Sequence, residues 1–190
     1  MNEQTPQSTK QTLVALVENK PGVLNRVASL FRRRNFNIDS LTVGRTHKDH
    51  ISRMTIVVDT KKASTQLVAA NLRKLVNVIE VRNVSEQPHV SRDLALIKVR
   101  TDDVESRNAV TDVCDRYPAR IVDIGTRVAI VEIAAHEDVV EHFIEELRPI
   151  GIVEMVRTGV VAMGRGTRIQ DSEYTPPVQV NTSNGQRFGV

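Results

Sequence analysis

The chain has 190 residues, of which 40% are hydrophobic, and its 26 basic and 23 acidic side chains give a net charge of +3. This composition suits a globular protein of one or two domains, and so small a charge does not by itself indicate nucleic-acid binding. The single cysteine, Cys114, excludes a disulfide framework and a cysteine metal cluster. Without a membrane-length apolar run or a signal-peptide pattern, we expect a cytoplasmic protein with no membrane contact.

The two ends of the chain lack any apolar period. Residues 1–11 are polar, and residues 167–190 are rich in Ser, Thr, Asn, Gln and Pro. Such segments bury too little apolar surface to offset the entropy lost on ordering. We therefore predict a flexible N-terminus at 1–11 and a disordered tail at 167–190.

Residues 12–85 predict the order strand, helix, strand, strand, helix, strand. The predicted elements are a strand at 12–18, a helix at 21–34, strands at 37–46 and 51–59, a helix marked by Val68, Leu72, Leu75 and Val76, and a strand at 78–84. This is one βαββαβ unit.

The same order recurs over residues 93–166, after a predicted linker at 86–92. Its predicted elements are a strand at 94–99, a helix marked by Val110, Val113, Cys114 and Tyr117, strands at 121–125 and 127–133, a helix marked by Val139, Val140, Phe143, Ile144 and Leu147, and a strand at 152–163. The fold class is therefore α+β, with two tandem ferredoxin-like βαββαβ domains.

The predicted first sheet indicates how the protein assembles. In this fold both helices cover one face of an antiparallel sheet, and the opposite face is polar where it meets water. Here the strand residues 13–17 are all apolar, and 56–58 continue the pattern. Either the second repeat or a second chain must cover that face, and we predict a homodimer.

Other activities of this fold require residues that the chain lacks. RNA-recognition domains stack bases on aromatic side chains of the central strands, where this chain has none. Metal carriers of this shape need a CxxC pair, and no nucleophile elbow, HExxH or GxxxxGK motif occurs. His47, Asp49 and His50 are better explained as a solvated turn than as metal ligands, and Cys114 as a core thiol. We predict no catalytic residue, metal or cofactor in this chain and no nucleic-acid partner.

The turn at residues 18–24 is the strongest candidate binding site. Free N–H groups at a helix start bind anions, and Gly22 would let a ligand approach the backbone closely. The carboxamides of Asn19 and Asn37 can bind an ammonium group, so these parts fit a free amino acid. The loop alone is equally compatible with an ordinary helix start, because Pro21 suits the first helical turn.

A long ordered set of residues carries a family resemblance over residues 12–170. In the first repeat it comprises 19–27, 30–31, 36–43, 52–55, Leu72, Lys74, Leu75, Val76 and Val78. In the second repeat it comprises 89–90, 92–94, 96–99, 152–154, 158–161 and 165–166. The chain resembles the small, regulatory subunit of acetolactate synthase, also called acetohydroxyacid synthase. One Pro-Gly-Val-Leu turn is common in ACT domains, but the whole set is specific.

The resemblance implies an ACT domain at 12–85 for effector binding and dimerisation, and a C-terminal regulatory domain at 93–166. It implies a subunit without synthase activity that binds the catalytic (large) subunit, which carries thiamine diphosphate, Mg and FAD. This subunit would activate its partner and confer feedback inhibition by valine or a related branched-chain amino acid. The effector site would lie between two ACT domains of a homodimer, at Asn19, Gly22, Val23, Leu24, Asn37 and Ile38.

The chain departs from the resembled family in two places, at Asn35 and in the tail beyond about Asp171, which runs past the usual family end and to which we assign no role. Asn35 stands where the family usually has glycine, and because asparagine also tolerates a left-handed helix end, we expect the helix to stop there. The alternative function is an ACT-type amino-acid sensor that acts on a different partner, such as a transcriptional regulator.

Overall fold

The computed structural model describes residues 10–60 and 64–166. The first domain consists of strands β1 (Lys10–Glu18), β2 (Ile38–Arg45), β3 (Ile51–Asp59) and β4 (Val78–Asn83), with helices α1 (Val23–Arg34) and α2 (Thr65–Leu72). The strands lie in the order β2-β3-β1-β4, and neighbouring strands are antiparallel. The predicted βαββαβ order of the first unit is therefore confirmed.

The core of this domain lies between the sheet and its two helices. Alternate residues of the central strands face the helices, because side chains alternate between the two faces of a strand. The buried cluster comprises Leu13, Ala15, Val17, Val23, Val27, Leu30, Phe31, Met54, Ile56, Val58, Val68, Ala69, Leu72 and Val81. Burial of these side chains is the main stabilising contribution to the domain.

Helix α1 begins and ends at residues with positive φ. Gly22 precedes the helix with φ 82°, a conformation that glycine adopts without steric cost. Asn35 ends it with φ 52°, and its N–H donates to the carbonyls of Phe31 and Arg32. The predicted left-handed asparagine at the helix end is thus confirmed.

Helix α2 is shorter than the sequence pattern predicts. It ends at Leu72, and the N–H of Leu75 donates to the Leu72 carbonyl in a turn, 3.0 Å away. Val76, predicted on the apolar stripe, is 91% exposed, so that prediction is wrong. The chain has to reverse direction before β4 begins at Val78, and the apolar spacing at 75–76 belongs to that turn.

The second domain consists of strands β5 (His89–Arg100), β6 (Ala119–Ile124), β7 (Val128–Ala135), β8 (Ile152–Arg157) and β9 (Val161–Gly164), with helices α3 (Val104–Arg116) and α4 (Glu137–Leu147). Its sheet has the order β6-β7-β5-β8, and β9 pairs with the first part of β5. The two helices pack on one face over a core that includes Ile97, Val131 and Phe143. The second βαββαβ unit is confirmed as well.

Three predicted boundaries differ from the structure. The predicted linker at 86–92 is shortened, because β5 already begins at His89. The predicted strand at 152–163 is two strands, interrupted at Gly159, which has φ 77°. Lys10 and Gln11, placed in the flexible N-terminus, belong to β1. The rest of that segment and the tail at 167–190 lie outside the described residues.

Strand β9 covers the face of the first sheet that is turned away from its helices, which we call the outer face. Val14 and Val57 on this face are 3% and 2% exposed, and they cluster with Val84, Val160 and Ala162. The sequence required either the second repeat or a second chain to cover this apolar face. The second repeat covers at least part of it. The homodimer stays a prediction, and this part of the outer face does not require it.

Candidate functional site

The loop after β1 is held against the neighbouring β-hairpin. The backbone N–H of Asn19 donates to the carbonyl of His50 at 2.8 Å, and its side-chain Nδ2 donates to the carbonyl of Asp49 at 3.0 Å. Lys20 turns back on Glu18 through a 2.9 Å backbone hydrogen bond. The Asn19 amide therefore positions the loop.

The helix start that follows is open. Within the described part of the chain no side chain caps α1, and Gly22 has no heavy atom within 4 Å of the place where a Cβ would stand. The first N–H groups of an α-helix have no partner inside the helix, and the helix dipole adds positive potential there. The start of α1 can therefore accept a carboxylate.

The two apolar residues of this turn have different surroundings. Val23 is 4% exposed and belongs to the core, whereas Leu24 is 47% exposed. Of the two side chains, only that of Leu24 is available to a ligand on the surface. Val23 contributes through its place at the start of the helix.

Asn37 and Ile38 lie at the opposite end of the sheet. The Asn37 carbonyl accepts from the N–H of Asp59 at 3.3 Å, and Asp59 pairs with Lys10 at the beginning of β1. The loop at Asn19 directly follows the end of β1, a strand of nine residues. Such a strand is about 26 Å long at about 3.3 Å per residue. One chain thus does not bring the two groups of predicted site residues together.

Asn37 is exposed, and Ile38 packs partly against the first core. Asn37 precedes β2 and Ile38 begins it, and within the described residues β2 is an edge strand with a neighbour on one side only. We call Asn19, Gly22 and Leu24 the loop half-site, and Asn37 and Ile38 the strand half-site. All of these residues are exposed except Ile38, which is partly buried.

The other candidates from the sequence have structural explanations. Within residues 10–60 and 64–166, no three His, Cys, Asp or Glu side chains form a group that could hold a metal ion. Burial raises the pKa of the Cys114 thiol, and the charge of Asp115 adds to the effect, which disfavours the reactive thiolate. No helix in the described segments is long and apolar enough to cross a membrane.

A charged cluster at the contact between the domains was not found from the sequence. Lys10 Nζ lies 2.9 Å from Asp39 Oδ2 and 3.2 Å from Glu137 Oε1. The hydrogen bond to Asp39 raises the pKa of Lys10, and burial opposes that shift. Arg157 holds the buried carboxylate of Asp93 nearby, with 2.9 Å between Nε and Oδ2. In the sequence, only Gly159 pointed to this contact, because a glycine within an apolar strand marks a break or a close backbone approach.

Comparisons with known proteins agree with the predicted family. A family model described as the small subunit of acetolactate synthase matches residues 92–166, and an ACT-domain model like that of the same small subunit matches residues 13–80. A probable acetolactate synthase small subunit of Archaeoglobus fulgidus is 47% identical over 159 residues, which is 84% of this chain and 99% of the relative. The chain belongs to the acetolactate synthase small-subunit family.

Further relatives support the same membership. The acetolactate synthase small subunit of Mycolicibacterium smegmatis is 43% identical over 83% of this chain and 92% of its own length. The crystal structure of the small subunit from Thermotoga maritima superposes with a TM-score of 0.76 and 36% identity, over 84% of this chain and 99% of that one. All six predicted site residues of this small subunit lie in the part matched by the ACT-domain model.

Proposed function

We propose that this chain activates the catalytic subunit of acetolactate synthase and makes it sensitive to feedback inhibition by valine or a related branched-chain amino acid. The chain itself carries no synthase activity in this proposal. Thiamine diphosphate, Mg and FAD belong to the catalytic subunit, and both subunits act in the cytoplasm. Family membership supports the regulatory role, and the arrangement of the half-sites supports the mode of effector binding.

The observation that carries the proposal is the separation of the two half-sites to opposite ends of the first sheet. Two copies that pair through antiparallel β2 edges bring the start of one β2 beside the end of the other. In the first sheet β3 alone separates β2 from β1, so at a strand spacing of about 4.8 Å the loop after β1 lies about 10 Å from its own β2 and about 14 Å from the β2 of the partner. A homodimer of this kind forms two equal sites, each with a loop half-site from one chain and a strand half-site from its partner.

The chemistry of such a site matches a branched-chain amino acid. The open start of α1 at Gly22 binds the carboxylate. Leu24 of the same chain and Ile38 of its partner enclose the branched side chain, while the Asn37 carboxamide accepts from the ammonium group. Asn19 fixes the loop and Val23 anchors it in the core. An effector bound between two chains changes their position relative to each other. A coupling free energy of about 1–3 kcal/mol between effector binding and the catalytic subunit is enough for substantial inhibition.

Reconstitution with the catalytic subunit tests the proposal. Synthase activity is measured with and without this chain while valine, leucine and isoleucine are titrated. We expect stimulation by the chain and inhibition by at least one of the three amino acids. Gly22→Asp introduces a carboxylate where the effector carboxylate binds, and Asn37→His alters the strand half-site. Both variants should lose inhibition and keep the stimulation.

Matched controls separate this effect from local damage. Gly166→Asp makes the same substitution at an exposed glycine that also has positive φ and open space where its Cβ would stand. Asn108→His changes an exposed asparagine of α3. Both controls should remain as inhibited as the unmodified chain. Inhibition retained by Gly22→Asp and Asn37→His would remove the site assignment. Amino-acid binding without any stimulation of the synthase would favour a sensor that acts on a different partner.

A further inference from the structure

Strand β2, which begins at Ile38 directly after Asn37, also makes contacts with the second domain. Asp39 directly follows Ile38, and its carboxylate is bridged through the Lys10 ammonium to Glu137 at the start of α4. A displacement at the beginning of β2 therefore reaches a helix of the second domain through one side chain.

A second contact lies further along β2. Gly159 approaches so closely that a Cβ on it would stand 3.0 Å from Ser40 Cβ. Next to it, Thr42 Oγ1 donates to the carbonyl of Thr158 at 3.0 Å. The outward side chains of β2 thus meet the backbone of the segment between β8 and β9. We call this set the β2 junction: Lys10, Asp39, Ser40, Thr42, Glu137, Thr158 and Gly159.

The β2 junction has room to rearrange. A polar cavity of about 200 Å³ lies between Asp39 and Ser40 on one side and Glu137 and Arg157 on the other. Ser40 Oγ is buried and has no hydrogen-bond partner among the described residues. Close-packed interiors resist small displacements, whereas a polar cavity lets ion pairs and hydrogen bonds exchange partners.

We propose that the β2 junction transmits effector binding from the ACT domain to the second domain of the same chain. The inference rests on the proposed function and adds the route of the signal. An effector held at the strand half-site shifts the start of β2, and that shift moves Asp39 against Lys10 and Ser40 against Gly159. The second domain then changes its position on the first sheet, and the catalytic subunit is affected through that domain.

The test separates effector binding from effector response in the full chain. Gly159→Ala adds a methyl group at the closest contact of the β2 junction. Valine binding is measured by isothermal titration calorimetry, and inhibition is measured after reconstitution with the catalytic subunit. We expect the dissociation constant for valine to stay within about threefold, while the ratio of rates without and with saturating valine falls at least about fivefold. Stimulation without valine should be unchanged.

Gly151→Ala is the matched control, because Gly151 also has positive φ and lies at the opposite end of the second sheet, beside Arg100. It should respond to valine like the unmodified chain. Lys10→Glu is a second variant, which leaves Gly159 unchanged. It places a third carboxylate next to those of Asp39 and Glu137. Adding Glu137→Lys to it restores a cation between them, and inhibition should return.

Each outcome decides between the two proposals. Normal inhibition in both Gly159→Ala and Lys10→Glu overturns the β2 junction and leaves the proposed function intact. Equal losses of inhibition in Gly159→Ala and Gly151→Ala, or no rescue by Glu137→Lys, also overturn it. An unmodified chain that binds none of valine, leucine and isoleucine and confers no inhibition by any of them removes the proposed function, and this inference with it. The β2 junction is supported if Gly159→Ala keeps valine binding but loses inhibition, and if Glu137→Lys restores the inhibition that Lys10→Glu loses.

Discussion

The two domains share one topology but differ in what covers the outer face of each sheet. On the first sheet Val14 and Val57 lie beneath β9 and are almost completely buried. On the second sheet Leu96 and its cross-strand neighbour Val156 are 38% and 58% exposed. The shared topology alone therefore does not determine whether an outer face is buried; the short strand β9, which follows β8, does.

The charged residues of the two outer faces also differ in how far they are exposed to water. The second sheet carries an exposed cross-strand ion pair, Lys98 with Glu154 at 2.7 Å, which suits a surface in water. On the first sheet Arg53 is partly buried under β9 and donates through Nη2 to the Ala162 carbonyl at 2.5 Å. Burial lowers the pKa of Arg53, and the nearby Arg82 charge adds to this. On the first outer face, the partly buried cation of Arg53 is therefore stabilised by a carbonyl group of the second domain.

The largest effect is expected when a charge is placed beneath β9. Val14→Asp places a carboxylate in the apolar cluster beneath β9, where only its cross-strand neighbour Arg82 can offset part of the cost, and should lower the free energy of unfolding by about 3 kcal/mol. Val156→Asp, on the exposed outer face, should cost about 1 kcal/mol or less. Urea unfolding of the full chain measures both. Equal losses would show that β9 does not cover the first sheet in solution.

A smaller effect is expected from a cavity at the same place. Val57→Ala removes two methyl groups from the cluster beneath β9 and should cost about 2 kcal/mol. Val156→Ala should change stability by about 0.5 kcal/mol or less, because the side chain is already in contact with water. Thermal and urea unfolding should rank the two variants in this order, and the reverse ranking would contradict the comparison.

The smallest effect is expected from the hydrogen bond between the domains. Thr42→Val removes the bond to the Thr158 carbonyl and should cost about 0.5–1 kcal/mol, with faster hydrogen exchange of the β9 amides. Thr111→Val is the control, since its hydroxyl donates to Arg107 within α3. If β9 exchanges equally fast in both variants, Thr42 does not hold the domains together.

Much of the fold could be predicted from sequence, because hydrophobic periodicity and turn residues are local signals. The order of elements in both units followed from them, and Asn35 indicated the end of α1 correctly. The predicted extension of α2 to Val76 was wrong because a turn can repeat helical spacing for one or two residues. The break at Gly159 was missed because apolar residues continue on both sides of it.

The candidate site was harder to predict because the relative position of its parts depends on tertiary structure. Gly22 and Asn37 were found by residue type, yet their separation along the sheet follows from strand order and register. Lys10 and Glu137 are far apart in sequence, and a lone lysine at the start of a strand carries no signal of its partner. Only the family resemblance suggests that the two half-sites pair between two chains; the residue patterns do not.

Strand β5 links the two domains in a second way. Its twelve residues form about 36 Å of continuous strand, paired with β9 in its first part and with β7 and β8 in the rest. Ala162 of β9 clusters with Val14 and Val57 of the first sheet. One strand therefore belongs to the second sheet and also holds β9 over the outer face of the first.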